Sequence, residues 1–207
     1  MNKKNLVIFL CLLLAFFPLN NTQKERTINI NKNDQNKNIT INYPKTKYKN
    51  LNKKIEEYIK MKYNFFIEDY NNFKSLNKKI EFRTNYNYET INNRYISINL
   101  FTYIDTLSNL EKDIKSFNYD KKTKSYLKIS DISKNVDNLI IFVNEALKSK
   151  YPNINFDNLI TIKNVNNFEF SISKKYITVY IPYQNKNFSY LLVKVPITYF
   201  HIKRDYE

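Results

Sequence analysis

The chain has 207 residues, of which 43% are hydrophobic and 16% aromatic, and it carries a formal net charge of +15. That length and apolar content suffice for one folded domain, or two small ones sharing a core, and they exclude a disordered chain. Glycine is absent altogether. This excludes a Walker phosphate loop, a dinucleotide fingerprint and a nucleophile elbow, because each needs glycine where the backbone approaches phosphate or turns sharply. Asn and Asp are therefore expected in the tight turns.

Basic residues outnumber acidic residues by 34 to 19, a balance that often indicates nucleic-acid binding. Here lysine is enriched together with Asn, Ile and Tyr, as a strongly A+T-biased genome would produce, and the lysines are scattered without an arginine-rich stripe. We therefore expect no nucleic-acid partner. Two interpretations of the charge stay open: a solvated basic surface, and a surface for an anionic polymer or anionic lipid.

The N-terminus has the pattern of an export signal. Residues 1–4 form a short basic segment, and an unbroken apolar run covers residues 6–19. As a helix this run would rise only about 21 Å, less than the ~30 Å hydrocarbon core of a bilayer, which favours a signal peptide. No small-residue cleavage site follows, so a short uncleaved anchor stays open. Residues 1–20 are predicted to be one or the other, and both place the remaining chain outside the cytoplasm. A membrane contact is expected only through this segment if it is uncleaved.

Cysteine and histidine each occur once. Cys11 lies within the apolar run, behind bulky residues that do not match a lipobox, so the rest of the chain cannot form an internal disulfide or a thiolate metal site. A triad or a histidine-based metal site would have to use His201 alone, and we expect His201 to be an exposed residue near the C-terminus. No catalytic residue, metal or cofactor is predicted.

The first elements beyond the leader are a linker, a strand and a helix. Residues 21–38 are polar and rich in Asn and Lys, which indicates a linker with a short strand at residues 27–30. Residues 39–43 alternate apolar and polar side chains, as a half-buried strand does, and Pro44 ends them. Residues 51–73 repeat apolar side chains at three- and four-residue steps, which predicts an amphipathic helix.

The later elements are strands around a second helix. Residues 79–126 alternate polar and apolar side chains between Asn- and Asp-containing turns, which predicts antiparallel strands. Residues 136–147 predict the second helix, with Ser130 and Asp131 as candidate caps. Three final strands are expected at residues 168–173, 176–183 and 190–198. This order of elements predicts an α+β domain, in which an antiparallel sheet has the two main helices packed on one face.

Six short motifs resemble a bacterial extracytoplasmic module that is known as a pair of domains of unknown function. ITINYP at residues 39–44 and LNKKI at residues 51–55 are similar to its first half. The motifs similar to its second half are YISI at residues 95–98, FNYD at 117–120, LKISD at 127–131 and ITVYIPY at 177–183. The module forms the outer part of RsiV-type anti-sigma factors, which sense lysozyme, and precedes the deacetylase domain of PdaC-type peptidoglycan deacetylases.

The resemblance covers residues 39–200, with a first half at about 39–90 and a second half at about 91–200, and it leaves residues 201–207 as a polar tail. It implies an α+β fold, a cell-envelope location and a recognition role. The chain departs from both family types. Five residues precede the apolar run and seven follow residue 200, so neither a segment that holds a sigma factor nor a deacetylase domain is expected. Where the family has Gly-rich turns, this chain has Asp and Asn at residues 105–109.

Together these features predict an exported cell-envelope binding module without catalytic activity. Its partner is expected to be a wall component, such as an anionic polymer or a glycan, or an envelope protein. Tyr103, Tyr119 and Tyr183 are the candidate ligand-binding residues. Lysozyme stays possible as a partner but is disfavoured, because two basic proteins repel at long range.

Two alternatives come from other classes. A wall-glycan hydrolase needs only two carboxylates, and a structural spacer would have no specific ligand. The carboxylates available for such chemistry are Glu68, Asp69, Asp105, Glu111, Asp113, Asp120 and Asp131. Asp131 is expected to act as a helix cap instead, because it precedes the second helix.

Overall fold

The computed structural model describes residues 26–33, 36–73, 79–106, 110–154, 160–183 and 190–202. The predicted leader with Cys11, the first residues of the linker and the last five residues of the tail lie outside these ranges. Within them, no helix combines the length and the apolar composition needed to cross a membrane.

In the described part of the chain, six strands form the larger of two sheets, in the same order as they occur in the sequence. They are β1 (Arg26–Asn33), β2 (Lys37–Lys45), β3 (Ile80–Ile91), β4 (Tyr95–Asp105), β5 (Leu110–Asp120) and β6 (Ser125–Tyr126). Neighbouring strands are antiparallel except for β2 and β3, which are parallel. A parallel pair needs a crossover connection, and helix α1 (Lys49–Phe73) supplies it.

Helix α1 packs one apolar face against the larger sheet, as the three- and four-residue steps predict. Its buried side chains are Leu51, Ile55, Tyr58, Ile59 and Phe66. From the sheet they meet alternate residues of the central strands, among them Phe82, Ile98, Leu100 and Ile104, all fully buried. Three aromatic rings lie at the centre of this first core: Phe82 is 5.4 Å from Phe66 and 5.7 Å from Tyr63 between ring centroids.

The last third of the chain builds a smaller antiparallel sheet of its own. It consists of β7 (Glu169–Ile172), β8 (Tyr176–Pro182) and β9 (Tyr190–Pro196). Before it come the short helix α2 (Ile129–Ile132) and the longer α3 (Val136–Lys150). A second core forms where α3 covers this sheet, and its fully buried side chains include Leu147, Ile177, Ile181, Leu191 and Val195.

The α+β class is confirmed, and the arrangement differs from the expected single antiparallel sheet in two respects. One strand pair is parallel, and the last three strands form a separate sheet, so that each main helix covers its own sheet. Alternation of polar and apolar residues reports that a strand has one covered face. It does not report which strand is the neighbour or in which direction that neighbour runs.

Part of the predicted linker is also a strand. The expected short strand at residues 27–30 is longer, Arg26–Asn33, and pairs along its whole length with β2. Its side chains are mostly exposed, because β1 lies at the edge of the sheet, and this is why the segment reads as polar linker. The cap of α3 differs as well. Asn135 accepts a hydrogen bond from the N–H of Asn138 at 2.9 Å, whereas Asp131 lies within α2 and accepts from the N–H of Lys128.

Tight turns form without glycine. The hairpin between β3 and β4 turns at Asn92 and Asn93, whose φ angles of 52° and 46° lie in the left-handed region. Asparagine tolerates that region better than most residues, so the expectation of Asn in place of glycine is confirmed there. In the turn between β5 and β6, Lys124 adopts a φ of 56°, and Asp120 holds the turn by accepting from the N–H of Lys122.

The two sheets meet across a buried polar layer. Asn118 donates from Nδ2 to the carbonyl oxygen of Phe170 at 2.5 Å and accepts from the hydroxyl of Ser97 at 2.7 Å. Ser97 in turn accepts from the N–H of Ile172 at 2.9 Å. Asn118 and Ser97 are each 3% exposed. These bonds fix the smaller sheet over one half of the larger sheet and leave the other half open.

Candidate functional site

The open half lies on the face of the larger sheet opposite α1. Strand register arranges its side chains in rows across β3, β4 and β5, because directly paired residues of neighbouring strands point to the same face. The two open rows are Arg83, Tyr103 and Lys112, followed by Asn85, Phe101 and Ile114. In the next row the smaller sheet begins to cover the face, where Asn99 donates to the hydroxyl of Tyr180.

The smaller sheet provides a wall for this open face. Tyr190 and Leu192 of β9 stand beside the two rows and complete a groove of about 460 Å³. We call it the inter-sheet groove. Tyr190 is held in place by its hydroxyl, which donates to Oδ1 of Asp113 at 2.5 Å. The groove therefore has an aromatic and aliphatic floor and one fixed aromatic wall. The row of Arg83, Tyr103 and Lys112, which we call the outer row, has a cation at each end.

The charges around the outer row nearly cancel. The guanidinium of Arg83 lies 5.0 Å from the ring centroid of Tyr103 and 3.8 Å from a carboxylate oxygen of Glu81. The Tyr103 hydroxyl donates to Asp105 at 3.3 Å. The pKa of that hydroxyl is raised, mainly by burial and to a lesser extent by the charge of Asp105. Lys112 is exposed and ion-pairs with none of the described residues. With two cations and two carboxylates, the groove does not select strongly for anions.

A row of amides continues the groove towards β1. The adjoining hollow, about 750 Å³, shares Asn85 with the groove and is lined by further asparagines. These are Asn29, Asn42 and Asn87. The carbonyl oxygen Oδ1 of Asn42 is buried and has no hydrogen-bond partner among the described residues. Each amide offers both a donor and an acceptor, so the hollow is suited to neutral groups that do the same, such as sugar hydroxyls and acetamido groups.

A partly buried ionic cluster supports the wall from behind. Asp113 Oδ2 accepts from the Tyr58 hydroxyl at 2.9 Å and lies 2.7 Å from Nζ of Lys62. Lys62 also bonds Glu111. Burial alone would raise the pKa of Asp113, but the hydrogen bonds from Lys62 and Tyr190 outweigh it and hold that pKa below its ordinary value. Asp113 is therefore ionised at neutral pH and both of its oxygens are occupied.

This cluster predicts a loss of stability in acid. The pKa of Asp113 is lowered in the folded chain, so its contribution is present above the ordinary Asp pKa of about 3.9 and is lost as the pH falls from about 5 towards 2. The pKa of Asp120 is also lowered, because the hydrogen bond from Arg94 outweighs the effect of burial. We expect the urea midpoint of Asp113→Asn to change less between pH 6 and 3 than that of the wild type. Parallel pH profiles would contradict this assignment.

The three tyrosines predicted to bind ligand lie in different places. Tyr103 lines the inter-sheet groove. Tyr119 is 2% exposed and packs under the start of α1, with its ring 5.2 Å from that of Tyr48. Tyr183 follows β8 and packs, partly buried, against the second core. The structure therefore brings only Tyr103 to the groove.

The other groove residues were not singled out in the sequence. For Phe101 a signal exists, because it alternates with the buried residues of β4 and so places a second aromatic ring on the polar face beside Tyr103. Arg83, Lys112 and Tyr190 carry no comparable local signal. They join the groove through strand register and through the docking of the smaller sheet.

The remaining candidates for chemistry are placed as ordinary structural residues. Asp120 is 3% exposed at its side chain and pairs with Arg94 at 2.6 Å. His201 is exposed, as expected, and its N–H donates to the carbonyl of Ile132. Among the described residues, no group of three or more His, Cys, Asp or Glu side chains is arranged to hold a metal ion.

Solved structures show the same fold. The chain is similar to a DUF3298 family protein from Pseudomonas aeruginosa PAO1, with a TM-score of 0.57 and 10% identity over 84% of this chain and 90% of that one. It is also similar to a DUF3298 family member from Bacteroides fragilis NCTC 9343, with a TM-score of 0.53 and 14% identity over the same shares. No family model matches the sequence, and no curated protein matches it. At these identities the likeness concerns the fold, which is that of an uncharacterised domain family.

Proposed function

We propose that this chain is an exported, non-catalytic binding module of the cell envelope whose inter-sheet groove binds a wall glycan. The observation that carries the proposal is the open aromatic pair of Phe101 and Tyr103 on β4, walled by Tyr190 and continued by asparagine amides. A pyranose ring has an apolar C–H face and a polar rim of hydroxyls. The aromatic pair would cover the apolar face of the sugar and remove it from water, and the amides would form hydrogen bonds with the hydroxyls of the rim.

The near balance of charge in the groove favours a glycan over an anionic polymer at this site. Arg83 and Lys112 are offset by Glu81 and Asp105, whereas a site for polyphosphate would gather cations without carboxylates. The resemblance of the sequence to the outer module of RsiV-type and PdaC-type proteins supports an envelope location, because the first type senses lysozyme and the second deacetylates peptidoglycan. An envelope protein is the second partner class, and lysozyme is disfavoured within it by its own positive charge.

Most of the carboxylates near the groove do not suit the hydrolase alternative. A glycosidase needs one carboxylic acid that stays protonated at working pH and a second carboxylate across a cleft. Near the groove, Glu111 and Asp113 both bind the same ammonium group of Lys62, and Asp105 accepts from the Tyr103 hydroxyl. Burial raises the pKa of Glu89, which lines the adjoining hollow, so Glu89 is the carboxylate that a hydrolase at this site would use as its acid. The pKa of Asp113 is lowered rather than raised, so it does not hold the proton that a general acid must donate.

A wall-binding assay with the full chain in mild detergent tests the proposal. The wild type is expected to sediment with purified peptidoglycan stripped of anionic polymer, with an affinity that changes little between about 50 and 500 mM salt. Tyr103→Ala should weaken binding about tenfold or more, since an aromatic side chain at the centre of a site commonly contributes at least 1.4 kcal/mol. Phe65→Ala is the matched control, because Phe65 is an exposed aromatic residue on the outer side of α1.

Three outcomes would count against the glycan. If binding requires the anionic polymer and falls steeply with salt, charge rather than the groove selects the ligand. If both variants bind as the wild type does, the groove is not the site. If walls are not bound but an envelope protein is captured, and Tyr103→Ala abolishes that capture, the groove serves the second partner class.

A further inference from the structure

One end of the larger sheet gathers lysines that are scattered along the sequence. This end contains the hairpin between β3 and β4, the turn between β5 and β6, and the segment from the end of β2 into α1. Its exposed cations are Lys45, Lys47, Lys49, Arg94, Lys122, Lys124 and Lys128. We call this set the basic end. Two contacts hold the start of α1 beside strands β5 and β6: Tyr126 donates to the carbonyl of Asn50 at 3.1 Å, and the Tyr48 ring packs at a tilt against the ring of Tyr119.

Two carboxylates beside the basic end are engaged with other groups: Asp131 accepts from the N–H of Lys128, and Glu57 pairs with Lys53 and Lys54. Arg94 pairs with Asp120, but the lysines of the set form no ion pair with any described residue. The first turn of α1 contains no acidic residue, so the positive end of the helix dipole adds to the same field. Lysines near a helix N-terminus are unfavourable in isolation. An anionic partner that lies against this end would offset that unfavourable effect.

The chain enters the fold at this same end. Arg26, the first described residue, pairs with Lys45 at the end of β2. Only residues 20–25 separate it from the apolar run at residues 6–19, and six residues span at most about 20 Å. If the apolar run stays in the membrane as an anchor, the basic end is thus the part of the domain closest to the lipid headgroups.

We propose that the basic end is a docking surface for anionic lipid headgroups, which orients the domain on its membrane. The surface is separate from the inter-sheet groove. Tyr95 and Tyr103 lie at opposite ends of the same strand, eight residues or about 26 Å apart, so a domain docked by its basic end presents the groove away from the membrane and towards the wall. Phosphate groups of a wall polymer share the chemistry, and the entry of the chain at this end is what favours lipid.

Fluorescence quenching on vesicles tests the orientation. The full chain, in a Cys11→Ser background, would carry a single label at Ser125→Cys in the basic end or at Leu110→Cys at the other end of the sheet, both exposed. Vesicles would contain a headgroup quencher and either pure phosphatidylcholine or 30% phosphatidylglycerol. We expect strong quenching at position 125 only with the anionic lipid, lost at about 0.5 M salt, and little quenching at position 110.

Two triple variants that remove the same charge distinguish an effect of the basic end from an effect of the net charge. Each lysine near an anionic surface contributes about fivefold to association, so Lys47→Gln/Lys49→Gln/Lys122→Gln should reduce the quenched fraction at position 125 at least tenfold at intermediate salt. The control Lys32→Gln/Lys60→Gln/Lys163→Gln removes the same charge from exposed sites elsewhere and should leave the quenching unchanged. Tyr103→Ala should also leave it unchanged, which keeps this test independent of the groove.

Several results would overturn the docking surface. Equal quenching at positions 125 and 110, or equal effects of the two triple variants, would mean that the domain has no preferred orientation. Quenching that is the same on neutral and anionic vesicles would remove the role of charge. If soluble polyglycerol phosphate binds the chain in the absence of vesicles and displaces the label from the anionic surface, the basic end belongs to a wall polymer instead.

Discussion

Replacing Asp113 by alanine is expected to lower the free energy of unfolding by about 2 to 3 kcal/mol, because it leaves several partly buried hydrogen-bond donors without their acceptor. The substitution leaves Lys62, whose side chain is 16% exposed, with Glu111 alone. It also leaves the hydroxyls of Tyr58 and Tyr190 without their acceptor. A single neutral hydrogen bond would contribute less, but here the side chains of Lys62, Tyr58 and Tyr190 all bind one carboxylate.

Urea unfolding at pH 7 measures this loss. Asp137→Ala is the matched control, because Asp137 is an exposed aspartate in the first turn of α3, where its charge contributes less than about 1 kcal/mol. A second consequence separates structure from binding. Since Asp113 fixes Tyr190, the variant should also bind wall glycan more weakly than the control at a temperature where both remain folded. A loss of stability no larger than that of Asp137→Ala would contradict the role of the cluster.

Local sequence periodicity predicted the elements that bury one face and expose the other. The predicted helix at residues 51–73 is α1, Lys49–Phe73, because three- and four-residue steps directly report one buried helical face. The long strand β4 follows from alternation in the same way. For strand β1 the sequence predicts only a short strand within a linker. An edge strand with exposed side chains lacks the apolar alternation that identifies a half-buried strand.

The site was harder to predict than the elements. Arg83, Tyr103 and Lys112 form one row only because β3, β4 and β5 pair in a particular register, and register between strands depends on the whole sheet rather than on any one segment. Tyr103 was singled out from the sequence, whereas Tyr119, chosen with it, is buried in the core. The lysines of the basic end read as scattered for the same reason, since turns and a helix start that are distant in the chain bring them together.

Replacing Asn118 by aspartate is expected to separate the two sheets. The amide Nδ2 of Asn118 donates to the carbonyl of Phe170 at 2.5 Å in a site that is 3% exposed. Aspartate has nearly the same shape but places a carboxylate oxygen against that carbonyl, so a hydrogen bond becomes a repulsion between two acceptors. A buried charge whose only donor is the Ser97 hydroxyl is strongly unfavourable, and we expect a loss of about 3 kcal/mol or more in the free energy of unfolding.

Asn138→Asp provides the control for this substitution. Asn138 is exposed in the first turn of α3, where a negative charge is neutral or slightly stabilising because of the helix dipole. Urea unfolding followed by near-ultraviolet circular dichroism should show the loss for Asn118→Asp alone. Because Tyr190 and Leu192 reach the groove only while β9 stays docked, Asn118→Asp should also lose wall binding although it alters no groove residue. Normal binding by a destabilised Asn118→Asp would show that the wall of the groove does not depend on the polar layer between the sheets.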